Sequence, residues 1–91
     1  MENLGKAIRS FLRNQGFETR VKEADVIRLW DEVVGKMIAE KAKPSGLKKG
    51  VLIISVEDSS WRNELIYMKK ELMDNLNQRV GKKIVKKIIF R

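Results

Sequence analysis

The residues best suited to chemistry in this 91-residue sequence are cations near its C-terminal end. Six basic side chains fall within the last thirteen residues, and no acidic residue stands among them. A lysine is a flexible point charge that displaces the counterions of a phosphate without reading the identity of a base. This cluster predicts salt-dependent, weakly sequence-specific binding to nucleic acid through Arg79, Lys82, Lys83, Lys86, Lys87 and Arg91.

A basic turn at Lys48-Lys49-Gly50 could extend this charged surface. The turn by itself is more typical of a solvated hairpin than of a phosphate-binding loop. The C-terminal cluster also has a purely structural interpretation, because lysines on an edge strand prevent sheets from associating edge to edge. The sequence therefore leaves two questions open. Lys48 and Lys49 either bind nucleic acid or are simply solvated, and the C-terminal cluster either binds nucleic acid or protects a sheet edge.

The sequence contains neither cysteine nor histidine. Those residue types supply the usual nucleophile–base pairs and the commonest zinc ligands, so catalytic triads and Cys/His metal sites are excluded. Catalysis by Lys, Asp or Glu remains conceivable, but no spacing singles out such a site. We therefore expect a binding protein that is not an enzyme and that needs no cofactor or metal.

The length of the chain predicts one small domain over residues 1–91, because a chain of this size has room for one hydrophobic core. The longest apolar runs, Val51–Ile54 and Ile88–Phe90, are far shorter than the roughly 20 residues that cross a bilayer. The N-terminus lacks the pattern of a signal peptide, which favours a cytoplasmic location.

The formal net charge of +8 is concentrated in residues 47–91, which carry eleven basic and five acidic side chains.

Apolar residues at helical spacing predict three helices. The first covers residues 2–15, the second about Val21–Glu40, and the third about Ser60–Val80 with Gly81 as its C-terminal stop. Gly35 falls inside the second helix, where glycine is unfavourable, and so suggests a close approach by another element.

Three strands complete the predicted fold. A short edge strand near residues 41–47 contains Pro44, a β-branched strand runs from Val51 to Glu57, and a basic strand closes the chain from Lys83 to Arg91. The strand–helix–strand order makes the last two strands parallel. The sequence thus predicts an α+β fold in the order ααββαβ, a three-stranded mixed sheet with helices packed on one face.

The face of the sheet that the helices leave open is a second candidate site. It would carry apolar side chains interleaved with polar ones, which suits a partner protein, a homodimer or stacked bases. Coverage by the first helix is an equally good alternative. The side chains expected on this face are Val51, Ile53, Ser55, Lys83, Val85, Lys87, Ile89 and Arg91.

The two tryptophans lie on the apolar stripes of predicted helices, so core packing explains both. Trp61 is the better functional candidate, because a large ring in the first turn of a helix is often only partly covered and can anchor an interface. Trp61 and the neighbouring Arg62 are therefore candidate partner-binding residues, with Trp30 assigned to the core.

The order of these features resembles the DciA-like family of bacterial helicase-associated proteins. The likeness extends over almost the whole chain, and its W-x-x-V-V-G, S-W-x-x-E-L and I-x-F-R elements are jointly specific although each is weak alone. The matching residues are Trp30–Gly35, Ile38-Ala39, Pro44, Gly50–Val56, Ser60-Trp61, Glu64-Leu65, Leu76-Asn77, Gly81 and Ile88–Arg91.

This resemblance implies a KH-like domain that associates with the replicative DnaB-type helicase, helps to load or operate it, and contacts single-stranded DNA. Two features depart from the expected pattern. The sequence ends at Arg91 without the basic extension that members of the family often have. It also lacks the G-x-x-G loop with which KH domains hold a nucleic-acid backbone, so the predicted contact is assigned to the basic strand.

Two other functions are compatible with the same residues. One is a KH-like RNA-binding module in translation or ribosome assembly. The other is a self-associating structural protein that dimerises through the open face of its sheet.

Overall fold

A computed structural model describes residues 16–91, and these form an α+β fold around a three-stranded mixed sheet. The helix predicted at residues 2–15 lies outside the described residues. The predicted order of the other elements is confirmed, except that each of the two remaining helices is divided in two.

The first described helix, α1, spans Phe17–Val34, and a short helix, α2, spans Lys36–Lys41. The break between them corrects the prediction of one continuous helix. Gly35 adopts φ 85° and ψ 164°, a backbone conformation that is essentially open only to glycine. A Cβ there would meet no atom of the described residues within 4 Å, so conformation and not a close approach explains this glycine.

The sheet comprises β1 (Ala42–Lys48), β2 (Val51–Val56) and β3 (Lys87–Phe90), with β2 in the centre. β1 and β2 are antiparallel and are joined by Lys49 and Gly50, whose φ values of 53° and 83° suit a two-residue hairpin turn. β3 runs parallel to β2, as predicted.

A bulge in β1 changes which side chains share a face. The pairing shifts between Pro44 and Gly46, at the edge of the sheet where a proline costs no ladder hydrogen bond. Lys43 lies opposite Ser55 and Lys48 opposite Val51, two β2 positions of the same face. Without the extra residue, the odd separation of the two lysines would place them on opposite faces.

Helices α3 (Ser59–Tyr67) and α4 (Lys69–Val80) replace the single helix predicted from Ser60 to Val80. The break lies at Met68, whose ψ of 2° departs from α-helical geometry. The N–H of Met68 donates to the carbonyl of Leu65 at 3.0 Å, which tightens the end of α3. Gly81 ends α4 in the left-handed conformation, as predicted.

The hydrophobic core lies between the sheet and the helices. Trp30 is fully buried, and its indole N–H donates to the carbonyl of Ala42 at 2.9 Å, which satisfies the polar atom of the ring. The burial of alternate β2 residues is confirmed. The buried apolar residues are Val26, Trp30, Ala42, Leu52, Ile54, Val56, Leu65, Leu72, Leu76, Ile84, Val85 and Ile88.

The segment before β3 differs from the predicted strand of residues 83–91. Ile84 and Val85 are consecutive and both buried, which the alternation of a β-strand does not allow. The Asn77 side chain replaces a strand partner: its Oδ1 accepts the N–H groups of Ile84 (3.1 Å) and Val85 (2.8 Å), and its Nδ2 donates to the Val85 carbonyl (2.9 Å). The prediction of Val85 on the open face is therefore wrong.

Candidate nucleic-acid interface

The sheet face that the helices described between residues 16 and 91 leave open combines an apolar centre with a charged border. Val51 and Ile53 of β2 and Ile89 of β3 are only half buried, in contrast to the fully buried residues that alternate with them. Ser55 continues the same β2 face and is exposed. Half-covered apolar side chains of this kind can contact the flat faces of bases or another apolar surface.

Four exposed cations surround this apolar centre. Lys43 and Lys48 lie on one edge strand, while Lys87 begins the other and Arg91 directly follows it. The backbone of Arg91 continues the ladder, because its N–H donates to Ile54 at 2.9 Å and its carbonyl accepts from Val56 at 2.8 Å.

The spacing of these cations suits a short stretch of polyanion. With about 3.3 Å per strand residue and about 4.8 Å between strands, Lys87 and Arg91 start roughly 13 Å apart and the two edge strands roughly 10 Å apart. Lys43 was not predicted from the sequence. The only signal for it was Pro44, which marks a site where a bulge can change the parity of an edge strand.

Lys49 and Lys86 lie at the hairpin end of this face. The N–H groups of Lys86 and Lys87 both donate to the carbonyl of Gly50, at 2.8 and 3.1 Å. A Cβ on Gly50 would come within 3.0 Å of the Lys86 side chain, so the aliphatic part of that lysine packs across the turn. These contacts bring together four lysines whose proximity the sequence did not predict: Lys48, Lys49, Lys86 and Lys87.

Three of the eight predicted cations lie neither on the sheet face nor at its hairpin end. Arg79, in the last turn of α4, is 3.5 Å from Glu32 of α1 and donates to Asn75 at 3.1 Å. Lys82 and Lys83 are exposed in the irregular segment that follows α4. The prediction that Lys83 lies on a strand is wrong, because β3 begins only at Lys87.

The candidate partner-binding residues lie in the first turn of α3. Asp58 caps this helix by accepting the N–H groups of Ser60 (2.8 Å) and Trp61 (3.1 Å). Trp61 is half buried against the core, which leaves part of its ring accessible. Arg62 is also half buried, and its Nη2 donates to the Val56 carbonyl at 2.7 Å.

A cleft of about 530 Å³ lies where the sheet face meets the start of α3. Its walls carry charges of both signs, because residues of the basic face and acidic residues that precede α3 both line it. The lining residues are Glu40, Lys41, Lys43, Ser55, Glu57 and Asp58.

Metal-binding clusters and membrane-spanning helices are both missing from residues 16–91. No group of three or more carboxylates there is placed to hold a metal ion. Within the same residues, no helix has the length and apolar character needed to span a bilayer.

Comparison with known proteins gives a consistent family match. A family model described as "Dna[CI] antecedent, DciA" matches residues 3–90. Proteins named UPF0232 are similar to this chain: 36% identity over 85 residues in Mycobacterium tuberculosis (strain H37Rv), 37% over 82 in Mycolicibacterium paratuberculosis, and 31% over 84 in Rhodococcus jostii. These alignments cover 93%, 90% and 92% of this chain but only 46%, 45% and 45% of the relatives. The chain therefore spans less than half the length of the curated relatives it matches.

Proposed function

This chain belongs to the DciA family, and from that membership we propose that it is an accessory factor for a bacterial replicative helicase of the DnaB type. The domain of residues 1–91 acts in the cytoplasm as a binding module without a catalytic step. It binds the helicase through the start of α3, around Trp61 and Arg62, and helps to load or operate it. It holds single-stranded DNA on the open face of the sheet.

The four cations around an apolar centre are the observation that supports the DNA contact. Lys43, Lys48, Lys87 and Arg91 are exposed, and none of them takes part in an ion pair described for residues 16–91. Each is thus available to replace a counterion at a phosphate. Rigid strands fix the spacing of their backbones, so less ordering is needed on binding than in a flexible tail.

The apolar centre favours a single strand over a duplex. A duplex stacks its bases inside and offers mainly phosphates to a flat surface, whereas a single strand can turn base faces toward Val51, Ile53 and Ile89. These side chains are aliphatic and contact any base. Ser55 is the one uncharged hydrogen-bonding side chain between them, so binding should depend little on sequence.

Charge reversal on the face tests the DNA contact. We expect the triple variant Lys43→Glu, Lys87→Glu, Arg91→Glu to bind a single-stranded oligonucleotide much more weakly, because three phosphate contacts are lost. The negative slope of log Kobs against log[salt] should become shallower by about 2, at about 0.7 per phosphate contact. Fluorescence anisotropy over a salt series measures both quantities.

A matched control removes the effect of net charge. The variant Lys36→Glu, Lys70→Glu, Lys82→Glu makes the same charge change at exposed lysines outside the face. It should lower the affinity less and leave most of the slope in place. Equal effects of the two variants would contradict a site on the sheet face and leave only a general attraction by net charge.

A direct test of the helicase contact is capture of the DnaB-type helicase by this chain at low salt. Retention of the helicase supports the proposal, and failure to retain it contradicts the proposal.

The two alternative functions have their own readouts. A strong preference for an RNA over a DNA oligonucleotide of the same sequence favours the RNA-binding function. Concentration-dependent sedimentation favours self-association through the apolar centre of the face, whereas a concentration-independent monomer excludes it.

A further inference from the structure

Arg62 is a half-buried cation with an incomplete set of partners. Its Nη2 donates to the main-chain carbonyl of Val56, but its Nε is buried and has no hydrogen-bond acceptor among residues 16–91. None of the ion pairs described for residues 16–91 includes Arg62. A buried donor without an acceptor is unfavourable, and a cation in the first turn of a helix gains nothing from the helix dipole. Stability of the free protein therefore does not explain this side chain.

The surroundings of Arg62 have the opposite charge from the sheet face. Glu57 and Asp58 directly precede α3, and Glu64 follows in its second turn; all three are exposed. The Asp58 carboxylate already caps the helix through Ser60 and Trp61. The start of α3 is therefore an acidic surface with one under-coordinated arginine and a half-exposed tryptophan beside it.

We propose that Arg62 is a docking point for a carboxylate side chain of a protein partner. The outer guanidinium nitrogens, Nη1 and Nη2, keep N–H groups that can hold a carboxylate in the plane of the guanidinium. The partner surface is basic around that carboxylate, so that it complements Glu57, Asp58 and Glu64, and it covers the exposed part of Trp61. With the helicase as the partner, this inference rests on the proposed function.

The acidic border favours a protein over nucleic acid as the source of the anion. A polyanion approaching Arg62 would meet the charges of Glu57, Asp58 and Glu64 within a few residues, and like charges disfavour that approach. A protein can instead present one carboxylate among cations. The two binding surfaces of the molecule thus have opposite charge and would select different classes of partner.

Affinity for the DnaB-type helicase tests the role of the guanidinium. We expect Arg62→Gln and Arg62→Lys each to weaken helicase binding by about tenfold or more, because a lysine keeps the charge but lacks the planar fork. Arg28→Gln, on the exposed side of α1, should leave binding unchanged. Full affinity of both Arg62 variants would overturn the proposal. Circular dichroism checks that the variants fold, since Arg62 also contacts Val56.

A measurement on the unaltered chain does not depend on the helicase or on the folding of a variant. In the ¹⁵N-labelled protein, titration with sodium acetate should shift the Nε–Hε resonance of Arg62 but not that of Arg28, with sodium chloride as the ionic-strength control. The same titration with a single-stranded oligonucleotide should leave the Arg62 resonance in place.

The outcomes separate this inference from the proposed function. Loss of helicase capture together with an acetate response would contradict the proposed function and retain the carboxylate site. No acetate response would overturn the site whatever the helicase does. A resonance shift with the oligonucleotide alone would mean that Arg62 binds nucleic acid. A shift that depends on protein concentration would mean that Arg62 contacts the basic face of a second copy of this chain. Either result overturns the proposal.

Discussion

Asn77 makes more of the side-chain hydrogen bonds described between residues 16 and 91 than any other residue does. One amide group makes three hydrogen bonds to the backbone of Ile84 and Val85. It thereby lets two consecutive apolar residues enter the core without leaving their main-chain groups unsatisfied. The direction from which β3 enters the sheet, and hence the position of Lys87, depends on this contact.

We predict that Asn77→Ala lowers the free energy of unfolding by about 2 kcal/mol, because the N–H and the carbonyl of Val85 lose their partner, whereas the N–H of Ile84 keeps the carbonyl of Lys82. Asn75→Ala is the matched control on the same helix. The Asn75 side chain is exposed and, within the described part of the chain, accepts only from Arg79, so its loss should change stability by no more than about 0.5 kcal/mol. Urea unfolding followed by circular dichroism measures both. A small effect of Asn77→Ala would mean that water replaces the amide at no cost.

The helices are divided where a local backbone change adjusts them to the sheet. Gly35 separates α1 from α2, and Met68 separates α3 from α4. The break at Gly35 lets the chain turn into β1 after only one short helix, with the N–H of Ala42 still donating to Ile38. It also allows Trp30 of α1 to reach the carbonyl of Ala42. A single residue, and not a longer loop, connects the two helices of each pair.

We predict that Gly35→Ala destabilises the protein by about 1–3 kcal/mol, since a Cβ is strained at φ 85° and ψ 164°. Gly46→Ala provides the comparison. A Cβ added at either position would meet no atom from residues 16–91 within 4 Å, but of the two glycines only Gly35 has a positive φ. Thermal unfolding of both variants distinguishes backbone strain from crowding. Equal melting temperatures for the two would show that the break does not need glycine.

At the scale of the whole molecule, charge divides the surface into two parts. The sheet face carries Lys43, Lys48, Lys87 and Arg91, whereas the start of α3 carries acids around Arg62. This division follows from the parallel arrangement of β2 and β3, in which helices α3 and α4 connect the strands on the buried side of the sheet. Because the two surfaces differ in charge, each suits a different kind of partner.

We predict that DNA and helicase bind the chain simultaneously. The triple variant on the sheet face should lose affinity for single-stranded DNA and keep its affinity for the helicase, while Arg62→Gln should do the reverse. In biolayer interferometry, protein captured on an immobilised oligonucleotide should still bind the helicase. Displacement of the oligonucleotide by the helicase would contradict separate surfaces.

The sequence alone was sufficient for features that depend on neighbouring residues. Alternating apolar residues predicted which face of β2 is buried, Asp58 and Gly81 marked helix ends, and the order of elements predicted a mixed sheet. These signals are local, because caps, alternation and helical spacing act over a few positions along the chain. Family membership was likewise recognisable from motifs read in order.

Tertiary structure decided which cations lie together. The basic cluster of the sequence is divided between the sheet face and the end of α4, since Ile84 and Val85 turn inward and shorten β3. Lys43 joins Lys48 only because a bulge changes the parity of β1. The position of the Arg62 guanidinium also depends on β2, where the Val56 carbonyl accepts from Nη2 while Nε is left without an acceptor among the described residues. Charge along a chain is local information, but the distance between two charges depends on strand register and packing, which only the folded chain determines.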